Sequence, residues 1–513
     1  MSKTFYITAA IDYANGPPHM GHAIEKIGAD VMARYRRLRG EQVHFVIGTD
    51  EHGVKVLQSA QAEDVSPQEW VDRVAGRFRE TWDRLGISYD DFIRTTEPRH
   101  REAVQEVVRR MRASGDLYRG RYEGYYCVGC EAFKRDDELT IDADDVRRCP
   151  LHPTRTIVWT EEENWFFRLS AYQDRLLKLY DEQPGFLQPD SRMNEVRRLV
   201  EGGLEDISIS RAHLAWGVPW PAEAGDGGRA DDDTVVYVWV EALINYLSAT
   251  GFPHGDWERL WPADMHVIGK DITRFHCVYW PAMLMCADIP LPHAVWAHGF
   301  VTFGGGKLSK SEGVRVELEE AIARHGVDPF RYYLLRDVPW SGDGEFSWDR
   351  FDARYTAELA DDIGNLASRT IAMVLRYRDG VVPARAETTL DSDIARALVA
   401  YRAAMDANLL HHGIQVALEL AGAANGFVET RAPWTLARDP ARAAELDATL
   451  AALVRSLAAL ATLLHPFMPG KSVELATSLG LSTLPSLAEL ASLDVAGRTV
   501  HKGDVLFAKP VPA

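Results

Sequence analysis

The sequence predicts an α/β protein in which a parallel sheet is interrupted by an insertion and followed by an all-α helix bundle. Three observations predict it. Over the first 300 residues short apolar, β-branched runs end in polar tracts and alternate with helical patterns. Four Cys and His residues in two hooks sit inside this part, between about 117 and 225. From about residue 350 the apolar spacing is three and four throughout.

The first element is Lys3 to Ala10, where Phe5, Ile7 and Ala9 with Thr4 and Thr8 read as a buried strand. Asn15-Gly16-Pro17-Pro18 breaks it, and from Gly21 the residues Ile24, Ile27, Val31 and Met32 recur at helical spacing up to the basic Arg34–Arg39 segment. A strand, a Gly/Pro turn and a helix are the opening unit of a Rossmann-like nucleotide-binding sheet, whose ligands lie beyond the carboxyl ends of the strands. The start of such a helix offers free N–H groups and a positive dipole end to phosphate. His19 and His22 add donors there, and Gly21 is expected to leave room for the adenine or ribose.

A second strand, Val43 to Ile47, ends in Gly48-Thr49-Asp50-Glu51-His52-Gly53, again polar groups at a carboxyl edge. Cys127-Val128-Gly129-Cys130 and Cys149-Pro150-Leu151-His152 have the spacing of a tetrahedral Cys₃His zinc knuckle, so Cys127, Cys130, Cys149 and His152 are the expected ligands. Such a closed four-ligand site is structural. Cys277 and Cys286 lie in apolar sequence and read as packing residues. The sheet is expected to resume with a strand at Thr234–Val240 and another at His266–Gly269, the latter leading through Arg274-Phe275-His276 into an apolar helix. Helices over about 357–377, 391–410, 413–430 and 441–464 complete the bundle. The expected division is 1–116, first half of the Rossmann-like domain; 117–225, zinc-knuckle insertion; 226–300, second half; 301–356, a region carrying a glycine- and lysine-rich loop; and 357–513, the helix bundle.

At 513 residues the chain accommodates about three or four domains. Its 46% hydrophobic and 26% charged content is that of an ordinary globular protein. No uninterrupted apolar run reaches membrane-span length and no signal-peptide pattern precedes the first strand, so a cytoplasmic location is expected. A net charge of −18 excludes blanket nucleic-acid binding by bulk electrostatics, and an RNA partner would have to meet local basic patches. An odd count of five cysteines does not make a disulfide framework.

The second tract of interest is Phe303 to Gly313, with Gly304-Gly305-Gly306 ahead of Lys307-Leu308-Ser309-Lys310-Ser311. Three glycines make a loop able to close, two ammonium groups three residues apart can reach phosphate oxygens, and Ser309 and Ser311 add neutral donors. Alone, this is a solvated lysine loop. Paired with Pro18-His19-Met20-Gly21-His22, it resembles the two ATP-binding signatures of class I aminoacyl-tRNA synthetases.

Further segments narrow the resemblance to the methionyl-tRNA synthetase family. They include Tyr13 to Gly16, Gly48 to Gly53, Asp206 to Arg211, Tyr237-Val238-Trp239, Ile268 to Asp271, Trp280 to Leu284, Asn365 to Arg369 and Ala432-Pro433-Trp434, spread over essentially the whole chain. The resemblance implies ATP, L-methionine and tRNA(Met) as substrates and Mg²⁺ accompanying ATP. Residue by residue it implies a methionine pocket of Ile11, Tyr13, Trp239, Tyr246 and His276, with Asp50 on the α-amino group. His19, Gly21, His22, Lys307, Ser309, Lys310 and Ser311 would contact ATP, with His19, His22, Lys307 and Lys310 polarising it. Asn365, Arg369 and Trp434 would read the anticodon. The chain ends soon after Val505-Leu506-Phe507, without the extra C-terminal domain some relatives use to dimerise, so a monomer is expected. No separate editing domain is evident.

Departures from the family pattern are Leu308 for Met, Glu312 and Val314-Arg315 beside the signature loop, Asp12 for Pro or Tyr, and Glu241 for a usual Asp. Leu243 is shared with only part of the family. None removes a group the chemistry needs. Two other readings remain: a specialised paralogue that forms an adenylate for another acceptor or substrate, and a non-catalytic zinc-containing RNA-binding protein.

Overall fold

The computed structural model describes residues 3–127, 129, 132–134, 136–142, 146–150, 152–155, 157–212, 214–222, 231–303, 306–307 and 317–509. They form two compact units, one from residues 1–18, 44–81 and 89–297, the other from 19–43, 82–88 and 298–513.

The first unit is built on a seven-stranded sheet in the order Leu187–Gln188, Val295–His298, Met265–Gly269, Phe5–Ala9, Val43–Asp50 and Asp12–Tyr13, with Asp91–Arg94 also against Val43–Asp50. Phe5–Ala9 runs parallel to Met265–Gly269 with Ile7 opposite Met265, and Val43–Asp50 runs parallel to both Asp12–Tyr13 and Asp91–Arg94. Tyr6, Ile7, Phe45, Ile47, Val267 and Ile268 are buried, as expected of parallel strands covered on both faces. The Rossmann-like parallel sheet is therefore present.

The insertion is a long antiparallel hairpin. Leu117–Cys127 pairs with Ile157–Phe167 from Leu117 opposite Phe167 to Cys127 opposite Ile157. Cys127 thus sits at its far end, where the short Cys149–His152 bridge also forms.

One strand assignment is corrected. The run Thr234–Val240 is not a strand of the main sheet. The strand is Asp231–Val236, it belongs to a separate antiparallel sheet with Ser210–Ala212 and Pro219–Trp220, and a short helix, Val238–Leu243, begins right after it. Valine-rich sequence favours strand locally, but burial of Val238, Val240, Ala242 and Leu243 along the helix overrides that preference. The main sheet resumes at Met265.

The second unit holds the Met20–Leu38 helix and the bundle. Its main helices are Leu318–His325, Val327–Asp337, Asn365–Arg378, Thr389–Asp406, Leu410–Arg431, Ala443–Leu464 and Pro469–Ser478. A π-helical stretch, Tyr355–Gly364, runs directly into Asn365–Arg378, which ends at Asp379 in the left-handed region (φ 49°). Arg331 ties the unit together. Fully buried, it donates to Asp30 Oδ2 (2.6 Å) and to the carbonyls of Leu85, Pro466 and Phe467. Burial works against the Asp30 carboxylate, but Arg331 and then Arg34 hold its pKa below the ordinary range. Among the described residues one helical stretch, Pro440–Leu464, is long and apolar enough to cross a membrane, and 89% of its apolar window is buried as the bundle's central element.

Candidate active site

Within the first unit, Asp50 ends its strand opposite Tyr13 and is largely buried. Its neighbour Glu51 is fully buried and accepts from Arg94 Nε (2.6 Å) and Nη2 (3.0 Å) and from the Thr49 and Thr96 hydroxyls. Of the two adjacent carboxylates, Glu51 is therefore a structural anchor. Tyr13 lies under Lys55 Nζ, 5.4 Å from its ring centroid.

The expected pocket aromatics Trp239, Tyr246 and His276 are carried by three short helical segments. Tyr246, on Asn245–Ser248, places its hydroxyl 2.6 Å from His276 Nε2. His276 lies in the π-helical turn Phe275–Tyr279, and its Nδ1 is 3.0 Å from the Ile272 carbonyl. A carbonyl accepts, so Nδ1 carries a proton, and in the neutral ring Nε2 accepts from the Tyr246 hydroxyl. The pair is thus held in place from both ring nitrogens. Trp239 is half-buried and stacks on Phe275 (centroids 4.0 Å apart, 11° between planes). Ile11 packs against the same core. Behind them, His266 contacts Thr8 Oγ1 (2.7 Å) and the Tyr246 ring (4.3 Å), and burial followed by the nearby His276 pushes its pKa well down. An aromatic cluster of this kind suits contact with an apolar, polarizable ligand.

Within the second unit, the His19 and His22 side chains close a capping box on the Met20–Leu38 helix. Gly21 N–H donates to His19 Nδ1 (3.1 Å) and His19 N–H to His22 Nδ1 (3.3 Å), with the rings stacked 3.6 Å apart. Histidines here do the work usually done by Ser and Glu. With each Nδ1 accepting, the neutral tautomer keeps its proton on Nε2, a donor suited to phosphate. Gly21 also makes room within the cap. A Cβ there would lie 3.1 Å from His19 Cε1, so the glycine accommodates the capping ring itself. Sequence reasoning also missed a polar cluster beside this helix. Lys26 is completely buried and pairs with Glu25 (2.8 Å), whose other oxygen meets His298 Nε2 (3.2 Å). Nothing in helical periodicity distinguishes Lys26 from a surface lysine.

Of the signature loop, only the backbone of Lys307 is described, in the two-residue strand Gly306–Lys307 paired with Val301–Phe303. Leu308, Ser309, Lys310, Ser311, Glu312, Val314 and Arg315 lie outside the described residues.

The metal-site geometry is partly assembled. Cys127 Sγ, Cys149 Sγ and one His152 ring nitrogen lie within 4.8 Å of one another, with both cysteines buried. Zinc bonds of about 2.0–2.3 Å put tetrahedral ligand atoms roughly 3.3–3.8 Å apart, so this set is close to a coordinating arrangement. A Cβ at Gly129 would come within 2.4 Å of the His152 ring, so a glycine is required where the two hooks approach. Burial and then Lys55 lower the His152 pKa, favouring the neutral ring a metal needs. Cys130 lies outside the described residues. Cys277 and Cys286 are buried, as expected, and burial raises both thiol pKa values.

In the bundle, Asn365 and Arg369 are one helical turn apart, and the Arg369 guanidinium lies 5.8 Å from the Trp434 ring centroid while pairing with Glu429. Trp434 is 37% exposed on the short helix Pro433–Leu436. An indole in the bundle core would have been covered. This one presents a face.

Residues 5–371 match the family described as tRNA synthetases class I (M), and residues 378–511 match the anticodon binding domain of methionyl tRNA ligase. The chain belongs to the methionine-type class I tRNA synthetases. Among curated members of that family, the methionine–tRNA ligase of Streptomyces coelicolor is 42% identical over 530 residues, covering 99% of this chain and 96% of its own. That of Mesorhizobium japonicum is 45% identical over 482 residues, covering 92% and 90%. A solved structure of Mycobacterium tuberculosis methionyl-tRNA synthetase in complex with methionyl-adenylate superposes with a TM-score of 0.93 at 39% identity, covering 99% of this chain and all of that one.

Proposed function

We propose that this chain is a methionine–tRNA ligase that activates L-methionine with ATP to methionyl-adenylate, releases pyrophosphate, and transfers methionine to the terminal ribose of tRNA(Met). The observation that carries this reading is the fixed Tyr246–His276 pair beside the stacked Trp239–Phe275 rings. It forms a wall for a thioether in a chain whose relatives bear that name.

Asp50 holds the α-amino group of methionine. Its shielded position makes that charge contact stronger than a surface pair. Ile11, Tyr13, Trp239, Tyr246 and His276 enclose the side chain. The methionine carboxylate attacks the α-phosphate of ATP, and the bond to the departing pyrophosphate breaks. His19 and His22 donate Nε2–H to phosphate oxygens, Gly21 keeps their cap closed, and Lys307, Ser309, Lys310 and Ser311 stabilise the charge moving onto pyrophosphate. Mg²⁺ accompanying ATP would share that charge. The tRNA terminal hydroxyl then attacks the carbonyl of the adenylate and AMP leaves.

Trp434 supplies a stacking platform for an unpaired anticodon base, and Asn365 and Arg369 supply edge-reading donors. Cys127, Cys130, Cys149 and His152 would hold a structural zinc, which would cross-link the hairpin end to the Cys149–His152 hook. The compartment this function implies is the cytoplasm. Pyrophosphate exchange measured with each amino acid in turn tests the reading: methionine alone should support rapid exchange. Exchange driven by another amino acid would favour the specialised paralogue, and no exchange would favour a non-catalytic RNA-binding protein.

A further inference from the structure

Glu241 has no role in the scheme above, yet it is a completely buried carboxylate on the same short helix as Trp239. Two residues apart on a helix is about 200° of rotation, so Trp239 and Glu241 face opposite sides. The half-buried indole takes the pocket side and the carboxylate points into the core.

There the two carboxylate oxygens are divided between two histidines. His52 Nδ1 lies 2.9 Å from Oε1 and His100 Nε2 lies 2.9 Å from Oε2. His52 is two residues after Asp50, and its ring packs edge-on against Trp216 (5.4 Å), whose indole N–H donates to the Glu51 carbonyl (2.7 Å). His100 lies on the helix Pro98–Ala113, and its Nδ1 is 2.8 Å from Ser248 Oγ. The same Ser248 hydroxyl is 2.8 Å from the Ile244 carbonyl, so this oxygen ties His100 to the backbone ahead of the Asn245–Ser248 helix. Each Glu241 carboxylate oxygen accepts from one histidine ring nitrogen. Buried networks satisfied in this way fix geometry, and breaking one member leaves the others desolvated.

We infer that Glu241 is a positioning residue for the amino-acid pocket: by clamping the turn after Asp50 to the helix bearing Trp239, it fixes the separation between the α-amino anchor and the side-chain wall. The inference rests on the reading that Asp50 and Trp239 hold the two ends of methionine.

The test uses pyrophosphate exchange on the full chain. Glu241→Gln should raise KM for methionine about tenfold or more while kcat and KM for ATP stay within about twofold, because a displaced wall weakens one substrate only. Glu241→Asp, which keeps the charge, should recover KM to within about threefold of the parent. Ser248→Ala, which disturbs only the far end of the network, provides a milder probe should Glu241→Gln fold poorly. It should raise KM for methionine severalfold with KM for ATP unchanged. Equal changes in both KM values, or no change in either, would overturn the inference. Asp50→Asn measured alongside separates the two readings. If it leaves KM for methionine unaltered, the pocket assignment fails. If it raises KM and Glu241→Gln does not, the positioning role alone fails.

Discussion

Asn at position 50 separates a binding carboxylate from a structural one, because its neighbour Glu51 serves as an internal control. Asp50 is only 9% exposed, so an ammonium group brought against it loses most of its water. Leaving a desolvated charge without its partner costs about 3–5 kcal/mol, which corresponds to roughly two to nearly four orders of magnitude in kcat/KM for methionine. The substitution is nearly isosteric, so the melting temperature should move by no more than about 2 °C. Glu51→Gln should do the reverse. It weakens the Arg94 fork and leaves Arg94 with Asp72 at 2.5 Å, a loss of about 2–3 kcal/mol in stability. Its kcat/KM should stay within about fivefold of the parent, since no substrate contact is removed. The assay is methionine-dependent pyrophosphate exchange with thermal melts on the same preparations. Asp50→Asn with near-parent kcat/KM, or Glu51→Gln equally impaired at unchanged melting temperature, would refute the assignment.

Three further outcomes follow from the same structure. Trp434→Ala should lower tRNA charging about tenfold or more, the cost of one lost stacking contact, while leaving exchange intact. Loss of both together would make Trp434 a packing residue. Metal analysis should find about one zinc per chain, and Cys149→Ser should remove it and lower the melting temperature. A value near zero in the parent would remove the knuckle. Acid stability should depend on Glu241. Burial raises its carboxyl pKa, but His52 and His100 more than reverse this and bring it from 4.5 to about 2. A depressed native pKa contributes stability that is present above the unfolded value and lost as pH falls toward the folded one. Glu241→Gln should therefore lose stability less steeply than the parent between pH 4.5 and 2, followed by denaturant titration at each pH. Identical slopes would exclude the paired, ionised carboxylate.

The first strand-turn-helix unit was legible because its signals are local: alternation in Phe5–Ala9, a Gly/Pro break, then helical spacing from Met20. The bundle was legible for the same reason, and the expected helices over 391–410, 413–430 and 441–464 correspond to Thr389–Asp406, Leu410–Arg431 and Ala443–Leu464. What escaped depends on partners distant in sequence. Val235 to Val240 has the composition of a strand, and only packing of Val238 and Val240 turns its second half into a helix. The π-helical turn that aims His276 at Tyr246 has no distinctive composition. At the site, the resemblance supplied the residues while the structure supplied their directions. It showed that His19 and His22 cap their own helix, that Glu51 is anchored by Arg94, and that Glu241 joins two histidines 48 positions apart, 52 and 100. Buried polar clusters such as Glu25–Lys26–His298 leave no trace in periodicity, because their partners come from segments far apart in the chain.

The most direct test of the central claim is acylation of bulk tRNA by the purified chain with radiolabelled methionine, ATP and Mg²⁺. A methionine–tRNA ligase should charge a single class of acceptors, those bearing the methionine anticodon, to a plateau set by their abundance. Robust methionine-dependent pyrophosphate exchange with no acid-precipitable tRNA product would contradict the account and leave an adenylate-forming enzyme with another acceptor.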